Sequence, residues 1–302
     1  MAEDPDLSGL GLPGLLGLEG KVALVTGAGA GIARETALRL AAAGCDVAAM
    51  DLDAEGAEAC AAKVRSLGRR AVAIQGDLTD HETPRRMVAE AVAALGPIAV
   101  AVNVPGGTAG VNKSFLDVTP EELHRVLELN LVSTFLACQA EAIAMVEHGV
   151  AGVIVNVAST SGMTASPRLS PYGSSKAAVV HFTTTAAVEL APYGIRVNCL
   201  VPGTHWTQAT RRLGQGPEST PEHREFFAAA ARATPLGRLG EPGETAGVAL
   251  FLASDLSSYL TGHAVVSDGG VLHTTARPAL GGDAVPAALQ DLLSPTDPEE
   301  QP

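Results

Sequence analysis

Tyr172 and Lys176 are the pair of residues whose types and spacing most suggest chemistry. They lie four positions apart in the stretch PYGSSKAAVV, and the 302-residue chain has three tyrosines and four lysines in all. Independent placement would give about 0.04 such pairs. Residues i and i+4 share one face of a helix, so the spacing fits an acid with a cation beside it. The alternative is a buried tyrosine next to a solvated lysine.

Two more polar residues accompany the pair. Ser159 ends a short apolar run, and Asn130 lies in the stretch ELNLVSTF of a predicted helix. A serine at the end of a parallel strand stands at the carboxyl edge of the sheet, where open α/β sheets bind ligands. The presence of Ser159 and Asn130 favours a catalytic set over a purely structural Tyr–Lys pair.

A glycine-rich loop lies near the N-terminus, in the stretch VTGAGAGIARETA. Gly27, Gly29 and Gly31 fall between the first predicted strand and the first predicted helix. Glycines there allow a tight turn and bring bare backbone N–H groups towards a pyrophosphate at the helix N-terminus. Because the loop follows strand one of an alternating chain, the sequence predicts a dinucleotide site.

Asp51 ends the second predicted strand. A carboxylate at this position can accept hydrogen bonds from both hydroxyls of an adenosine ribose. It would also repel a 2′-phosphate, by about 4 kcal/mol for unit charges ~4 Å apart at an effective dielectric of ~20. Positions 28–33 and 52–53 hold no Arg or Lys, so we expect NAD(H) to be preferred over NADP(H). The alternative is a surface acid at a strand end.

The elements that must position these residues alternate between strands and helices. Apolar runs predict strands at 21–26, 46–51, 71–77, 97–104, 152–159, 195–203 and 263–267. Apolar spacing and length predict helices at 31–43, 54–67, 81–95, 119–148, 171–192 and 242–253. Such alternation indicates βαβ units and a parallel sheet. No composition shift divides the middle of the chain, so we expect a single α/β domain.

Composition excludes several classes of protein. Hydrophobic residues make up 46% of the chain, which allows a large core, and the net charge of −13 with no Lys/Arg cluster argues against a nucleic-acid partner. The four cysteines are scattered without a CxxC pair, which predicts reduced thiols in a cytoplasmic protein and no metal site. We expect no secretion signal and no membrane partner, since no apolar run reaches the ~20 residues of a bilayer span.

The two ends of the chain differ from its middle. Residues 1–18 are rich in Gly, Leu and Asp, and residues 273–302 carry prolines among acids. Both are predicted as tails around a domain at 19–272. A leucine-rich tail that docks on a neighbouring subunit is the alternative.

Several ordered motifs resemble those of the classical short-chain dehydrogenase/reductase family, over residues 19–272. They are TGAGAGIA (26–33), GDLTD (76–80), NVPG (103–106), Asn130, Ser159, YGSSK (172–176), PGT (202–204) and SDGG (267–270). The resemblance implies a Rossmann-like, doubly wound parallel sheet of about seven strands with helices on both faces. It also implies an NAD(H)-dependent oxidoreductase that interconverts a secondary alcohol and a ketone by hydride transfer.

The resemblance gives each matching polar residue a role. Tyr172 is expected to be the general acid/base, with its pKa lowered by the Lys176 ammonium and the positive nicotinamide of NAD⁺. Ser159 is expected to hydrogen-bond the substrate oxygen as charge develops there. Lys176 is also expected to bind the nicotinamide ribose, and Asn130 to hold a water that links Lys176 to solvent.

A larger set of residues is expected, on the same resemblance, to bind the cofactor. Asp77 is expected to contact the adenine, Asn103 and Gly106 to line the floor under the adenosine, and Thr204 to bond the carboxamide. The full set is Gly27, Gly29, Gly31, Ile32, Asp51, Asp77, Leu78, Asn103, Gly106, Lys176, Pro202, Gly203 and Thr204.

Two positions depart from the family's pattern. Ala33 stands in place of the third loop glycine, and Val104-Pro105 interrupts an expected Asn-Asn-Ala-Gly. Pro105 has no N–H and Val104 has no amide side chain. We therefore expect weaker hydrogen bonding around the central strands and the adenosine pocket.

Residues 204–240 are predicted to form an irregular lid over the substrate. Met163, Leu169 and Trp206 are the expected substrate wall, and Arg211 or Arg212 could reach a carboxylate or simply belong to the surface. A secondary alcohol or ketone with a ring or apolar body is the expected substrate class.

Two other functions fit the same sequence. One is an enzyme of this fold with net non-redox chemistry, such as an epimerase, dehydratase or cyclase; the other is a non-catalytic cofactor-sensing protein. The polar set at Tyr172 argues against the sensor, which needs no proton relay. The family also implies a homo-oligomer, a tetramer or dimer, through the helices at 119–148 and 171–192.

Overall fold

A seven-stranded parallel sheet forms the centre of the computed structural model, which describes residues 12–217 and 219–274. Its strands are β1 (Val22–Thr26), β2 (Asp46–Asp51), β3 (Ala71–Gln75), β4 (Ile98–Asn103), β5 (Val153–Val157), β6 (Arg196–Pro202) and β7 (Ala264–Ser267). They are ordered β3-β2-β1-β4-β5-β6-β7, and every neighbouring pair is parallel. The order reverses between β1 and β4, which opens a crevice at their carboxyl ends.

Helices cover both faces of this sheet. They are α1 (Leu12–Leu16), α2 (Gly31–Ala42), α3 (Ala54–Ser66), α4 (Thr83–Leu95), α5 (Pro120–Leu127), α6 (Ser133–Glu147), α7 (Ser170–Leu190), α8 (Gln208–Gln215), α9 (Pro221–Ala233) and α10 (Pro242–Ala253). Helices α2, α3 and α10 bury residues such as Leu40, Val64 and Leu252 on one face. Helices α4, α6 and α7 bury Met87, Met145 and others on the opposite face. The predicted fold class, a doubly wound α/β domain, is confirmed.

The helix predicted at 119–148 is continuous from Pro120 to Glu147, but it is not regular. A π-helical segment, Glu128–Val132, joins α5 to α6 and contains Asn130. This helix is long and apolar enough to cross a membrane by composition, yet 56% of its apolar window is buried inside the domain. Its packing on α4 and the sheet is that of a core helix.

The residues just before the predicted start of the domain at residue 19 also pack against it. Residues 12–16 form α1, and Leu18 is fully buried in the core beside Cys45, whose thiol donates to its carbonyl. The compact unit that holds the sheet ends at Leu272. The rest of the predicted tails, at 1–11 and 275–302, lies outside the described residues.

The lid between β6 and α10 is more regular than expected. It contains α8 and α9, where the sequence predicts an irregular segment. Thr207 caps α8, and Thr220 with His223 forms a capping box ahead of Pro221 in α9. Such caps satisfy the free N–H groups of a helix start, and the prediction overlooked them.

Candidate active site

A cavity of 730 Å³ opens at the carboxyl edge of the sheet, where the strand order reverses. Its walls come from the residues that follow β1, β4, β5 and β6, from the start of α7 and from α8. Of the predicted site residues, those that line it are Gly27, Gly31, Ile32, Gly106, Ser159, Tyr172, Lys176, Pro202, Gly203 and Thr204.

The glycine-rich loop presents the N-terminus of α2 to this cavity. Gly31 begins the helix with a φ of +59°, and the preceding Ala30 offers no side-chain hydrogen bond to the first turn. The first N–H groups of α2 and the positive end of its dipole therefore meet the cavity without a side-chain cap. An anionic pyrophosphate fits such a cradle, so the residues present suit a dinucleotide.

Asp51 holds this loop from the end of β2. Its carboxylate accepts from Gly29 N at 2.8 Å and from Asp53 N at 2.9 Å. A Cβ at position 29 would lie 2.9 Å from Asp51 Oδ2, so the approach requires glycine. Asp53 lines the cavity, whereas Asp51 is not among the described lining residues. The sequence analysis did not assign Asp53, although it lies only two positions after Asp51.

Ser159, Tyr172 and Lys176 meet on one wall of the cavity. Tyr172 and Lys176 lie near the start of α7, and Ser159 lies just after β5. The Ser159 hydroxyl lies near enough to the Tyr172 phenol to lower its pKa. Lys176 Nζ is 5.9 Å from the centroid of the Tyr172 ring. Placed side by side, a phenol can transfer a proton to one ligand oxygen while the hydroxyl donates a hydrogen bond to the same oxygen.

Burial dominates the pKa values of this wall. It raises the pKa of Tyr172 above its usual range, and the Ser159 hydroxyl offsets that only in part. Burial also lowers the pKa of Lys176 to about 8. Desolvation of the phenolate sets the direction of the Tyr172 shift, and the expected lowering of the Tyr172 pKa by Lys176 and the nicotinamide stays a prediction.

The Lys176 ammonium is directed at backbone oxygens. It donates to Val157 O at 3.0 Å and to Pro105 O at 3.2 Å, and the residue is only 3% exposed. Lys176 therefore joins the end of β5 to the segment after β4, directly beside the cavity.

Asn130 fixes that segment from the π-helical turn. Its amide donates to Gly107 O at 2.8 Å and accepts from Gly107 N at 3.1 Å. A Cβ at Gly106 would lie 2.5 Å from Asn130 Oδ1 and 2.9 Å from Lys176 Nζ, so a glycine separates the two side chains. Asn130 is fully buried and is not among the cavity-lining residues. Its role in holding a water stays a prediction.

Five predicted cofactor residues are not among the described residues that line the cavity: Gly29, Asp51, Asp77, Leu78 and Asn103. Asn103 is fully buried, and its side-chain amide bonds Glu141 and Asn156; its expected place in the adenosine floor stays a prediction. The Asp77 carboxylate is exposed and bonds the backbone and hydroxyl of Thr79, while Leu78 packs into the core. An adenine contact by Asp77 or Leu78 stays a prediction.

The lid contributes residues that the sequence analysis did not assign. Thr207 and His205 both line the cavity, and Thr207 Cγ2 would lie 3.6 Å from a Cβ at Gly31. His205 Nδ1 lies 2.9 Å from Gly203 O, which can only accept, so Nδ1 carries the hydrogen. His205 Nε2 lies 2.6 Å from Thr245 Oγ1. His205 thus ties the Pro202–Thr204 turn to α10.

The three residues predicted as the substrate wall are not among the described residues that line the cavity. Trp206 packs on Phe227, with ring centroids 5.0 Å apart, and against Gly214 inside the lid. Met163 is 47% exposed, and neither Met163 nor Leu169 is among the described residues that line the cavity. Trp206 packs in the small core between α8 and α9, and a substrate contact by any of the three residues stays a prediction.

The two lid arginines have different partners. Arg211 stacks over Trp206 and bonds both carboxylate oxygens of Glu241, at 2.6 and 2.7 Å. Arg212 lines the cavity. Among the described residues that line the cavity, two have a basic side chain of the Lys or Arg type, Lys176 and Arg212.

All four cysteines are free and buried. Burial raises the pKa of Cys138 and of Cys199 to about 12, so these thiols are poor nucleophiles. No group of three His, Cys, Asp or Glu that could hold a metal occurs in the part of the chain that the structure describes.

Known proteins resemble this chain over most of its length. A family model described as enoyl-(acyl carrier protein) reductase matches residues 27–272. L-rhamnose 1-dehydrogenase (NAD(P)(+)) of Sphingomonas sp. (strain SKA58) is 38% identical over 257 residues, which cover 84% of this chain and 97% of that protein. (3R)-3-hydroxyacyl-CoA dehydrogenase of Mus musculus is 37% identical over 264 residues, which cover 85% and 98%. The crystal structure of a short-chain type dehydrogenase/reductase from Mycobacterium marinum matches with a TM-score of 0.75 at 38% identity, covering 84% of this chain and 96% of that one.

Proposed function

Because the chain belongs to the short-chain dehydrogenase/reductase family, we propose that it is an NAD(H)-dependent enzyme that interconverts a secondary alcohol and a ketone. One observation carries this proposal. The Ser159–Tyr172 pair and the uncapped N-terminus of α2 open on the same cavity. A reacting oxygen and a dinucleotide could therefore meet there.

The chain's own residues suggest how a cofactor would be held. When bound, the nicotinamide group supplies the hydride donor or acceptor. The first turn of α2 would hold the pyrophosphate, Asp51 and Asp53 the adenosine ribose, and Lys176 the other ribose. The turn from Pro202 to Thr204, with Thr207, would enclose the opposite end of the dinucleotide.

Tyr172 would carry the proton. Its raised pKa keeps the phenol protonated at neutral pH, which is the form that donates a proton to a ketone oxygen. Ser159 would hydrogen-bond the same oxygen. The reverse direction needs the phenolate, and positive charge beside the ring favours it; Lys176, one helical turn away, is the cation of this wall.

The preference for NAD(H) rests on two carboxylates. Asp51 and Asp53 both lie at the ribose end of the loop, and a 2′-phosphate would add negative charge beside them. The rhamnose dehydrogenase relative carries NAD(P)(+) in its name, so the preference of this chain has to be measured directly.

Arg212 gives a lead to the substrate class. It places a cation in the cavity wall in addition to the buried Lys176, whereas Arg211 is already paired with Glu241. We propose that the secondary alcohol or ketone carries an anionic group that Arg212 binds. The ring or apolar body expected from the sequence would lie between that group and Tyr172.

A second copy of the chain is the proposed partner. The outer faces of α6 and α7 form an apolar groove of 550 Å³, with Phe135 and Ile143 each 46% exposed and Tyr193 56% exposed. Burial of such side chains in a homo-oligomer removes apolar surface from water. The buried free thiols support the proposed cytoplasmic location.

Absorbance of NADH at 340 nm tests the proposed activity. The purified chain is mixed with NADH and a panel of ketones, or with NAD⁺ and the matching alcohols. Net consumption or formation of NADH with at least one pair supports the proposal. Binding of NADH with no net turnover across the panel contradicts it and favours non-redox chemistry or cofactor sensing.

A further inference from the structure

An acid is buried in the middle of α6, outside the proposed mechanism. Glu141 is fully buried between α6 and the sheet, among apolar and small residues. Burying a charge without a partner is strongly unfavourable. Its presence in an otherwise apolar helix face therefore calls for a specific contact.

That contact is with Asn103 at the end of β4. Glu141 Oε2 accepts from Asn103 Nδ2 at 2.7 Å, and the same amide group lies 3.2 Å from Asn156 Oδ1 on β5. Asn156 in turn donates to Thr183 Oγ1 on α7 at 3.1 Å and approaches Cys138 Sγ at 3.7 Å. One polar network thus joins α6, β4, β5 and α7.

The network continues to the cavity through Thr26 at the end of β1. Thr26 Oγ1 lies 3.4 Å from Asn103 Oδ1, and it accepts from Val104 N at 3.1 Å. Val104 O would lie 3.0 Å from a Cβ at Gly27, and the next residue, Pro105, accepts from Lys176. Asn103 is therefore linked, through Thr26 and the backbone of Val104 and Pro105, to both the glycine-rich loop and Lys176.

Glu141 has the surroundings of a neutral acid. Its Oε1 has no hydrogen-bond partner among the described residues, and burial raises its pKa to about 8. The groups bonded to the network from β1, β4, β5 and α7 are uncharged, as are the buried residues of α4. Cys138 is the titratable neighbour on α6 itself, and its own raised pKa keeps the thiol neutral.

We propose that Glu141 is a positioning residue: as a neutral acid it holds the Asn103 amide and so fixes the segment from Val104 to Gly107 against Lys176 and the glycine-rich loop. This inference rests on the proposed function for its effect on cofactor binding. Its effect on the backbone of residues 103–107 is independent of any activity.

The test compares three variants of the full chain. E141Q keeps a neutral acceptor of the same size, E141L removes the acceptor, and E147Q changes an exposed glutamate on the same helix. Hydrogen–deuterium exchange of residues 103–107 and the Kd for NADH, measured by titration calorimetry, are the two main readouts. E141D, which withdraws the acid by one methylene, replaces E141L if that variant is not obtained folded.

We expect E141Q and E147Q to stay within about twofold of the unmodified protein in both readouts. For E141L or E141D we expect faster exchange at 103–107, with β7 unchanged, and a Kd for NADH raised about tenfold or more, as for a lost buried hydrogen bond. Unchanged exchange at 103–107 in E141L, or equally faster exchange throughout the domain, would overturn the proposal. So would an E141Q variant as impaired as E141L.

Thermal unfolding against pH separates a neutral acid from a simple packing role. The folded chain keeps the Glu141 proton up to pH about 8, whereas the unfolded chain releases it near the ordinary pKa of 4.5. Stability should therefore fall as pH rises through that window, and E141Q should fall less steeply than the unmodified protein or E147Q. Equal slopes in all three would overturn the proposal. If the unmodified chain binds no NADH, the proposed function fails, while exchange and unfolding still decide the role of Glu141.

Discussion

Lys176 Nζ donates to the carbonyl oxygen of Pro105 at 3.2 Å, so the residue that departs from the expected Asn-Asn-Ala-Gly motif is bonded to the proposed catalytic cation. Proline lacks an N–H but keeps its carbonyl, and the structure uses the carbonyl. Val104, the other departure, gives its backbone N–H to Thr26. The unusual motif therefore still serves both the sheet and the site.

Removal of the Tyr172 hydroxyl should abolish chemistry and spare binding. We expect Y172F to keep its fold and its Kd for NADH while turnover drops by about 10²–10⁴-fold, the usual contribution of a general acid/base. Y259F, at a fully exposed tyrosine away from the cavity and the α6–α7 groove, is the matched control and should match the unmodified protein. Turnover of Y172F near the unmodified level would reject the assignment of Tyr172.

Asp51 should set the choice of cofactor. D51N removes the charge and keeps one acceptor oxygen, which can stay on Gly29 N, while the bond from Asp53 N is lost. We expect the ratio of kcat/KM for NADPH to that for NADH to rise about tenfold or more, because a like-charge repulsion is relieved. D53N, measured in parallel, shows how much of the preference belongs to the neighbouring carboxylate. An unchanged ratio in D51N would exclude Asp51 from the ribose site.

Gly106 should be intolerant of any side chain, unlike the glycine next to it. Both Gly106 and Gly107 have positive φ values, +145° and +152°, but a Cβ would meet Asn130 and Lys176 only at Gly106 among the described surroundings. We expect G106A to lose about 1–3 kcal/mol of stability beyond G107A, as overpacking does, and to bind NADH more weakly. Urea unfolding and calorimetry measure both. Equal behaviour of the two variants would contradict the proposed packing.

Lys176 should give the protein a distinct dependence of stability on pH. Burial lowers its pKa to about 8 in the folded chain, while the unfolded value is the ordinary 10.5. Between these values the unfolded state binds more protons, so this residue makes stability rise with pH. The Tm of the unmodified protein minus that of K176M should therefore increase between pH about 8 and about 10. A constant difference would show that Lys176 titrates normally.

Arg212 should discriminate between anionic and neutral substrates. With a matched pair of ketones that differ only in a carboxylate, we expect R212A to raise KM for the anionic member about tenfold, the usual worth of a hydrogen bond to a charged group. KM for the neutral member should barely move. R211A is the control, because its guanidinium is bonded to Glu241. A similar loss for both ketones in R212A would place the anion elsewhere.

Much of the architecture could be predicted because it depends on patterns that repeat along the chain. Apolar runs bounded by glycines located every strand, and the strand-to-helix position of Gly27 to Gly31 located the loop that begins α2 and lines the cavity. The Tyr172–Lys176 spacing needed only the geometry of one helix. Each of these signals is local, so tertiary contacts do not overturn it.

The contacts that could not be predicted share a different cause, since each depends on which way a side chain points in the folded protein. Nothing near Asn103 in the sequence reveals Glu141, 38 positions later. From the sequence alone, the Trp206 ring could face either the substrate or Phe227. Only the packing of α9, which carries Phe227, determines its direction. The start of α9 was a missed local signal, because Thr220-Pro221 is a common helix start.

The packing of Trp206 on Phe227 has a practical consequence. It is the chain's single tryptophan, and it lies in the lid beneath Arg211. Its intrinsic fluorescence therefore reports on one place in the molecule, the segment that borders the mouth of the cavity. A ligand that shifts α8 against α9 will change this emission, so lid movement can be timed in solution without attaching a dye.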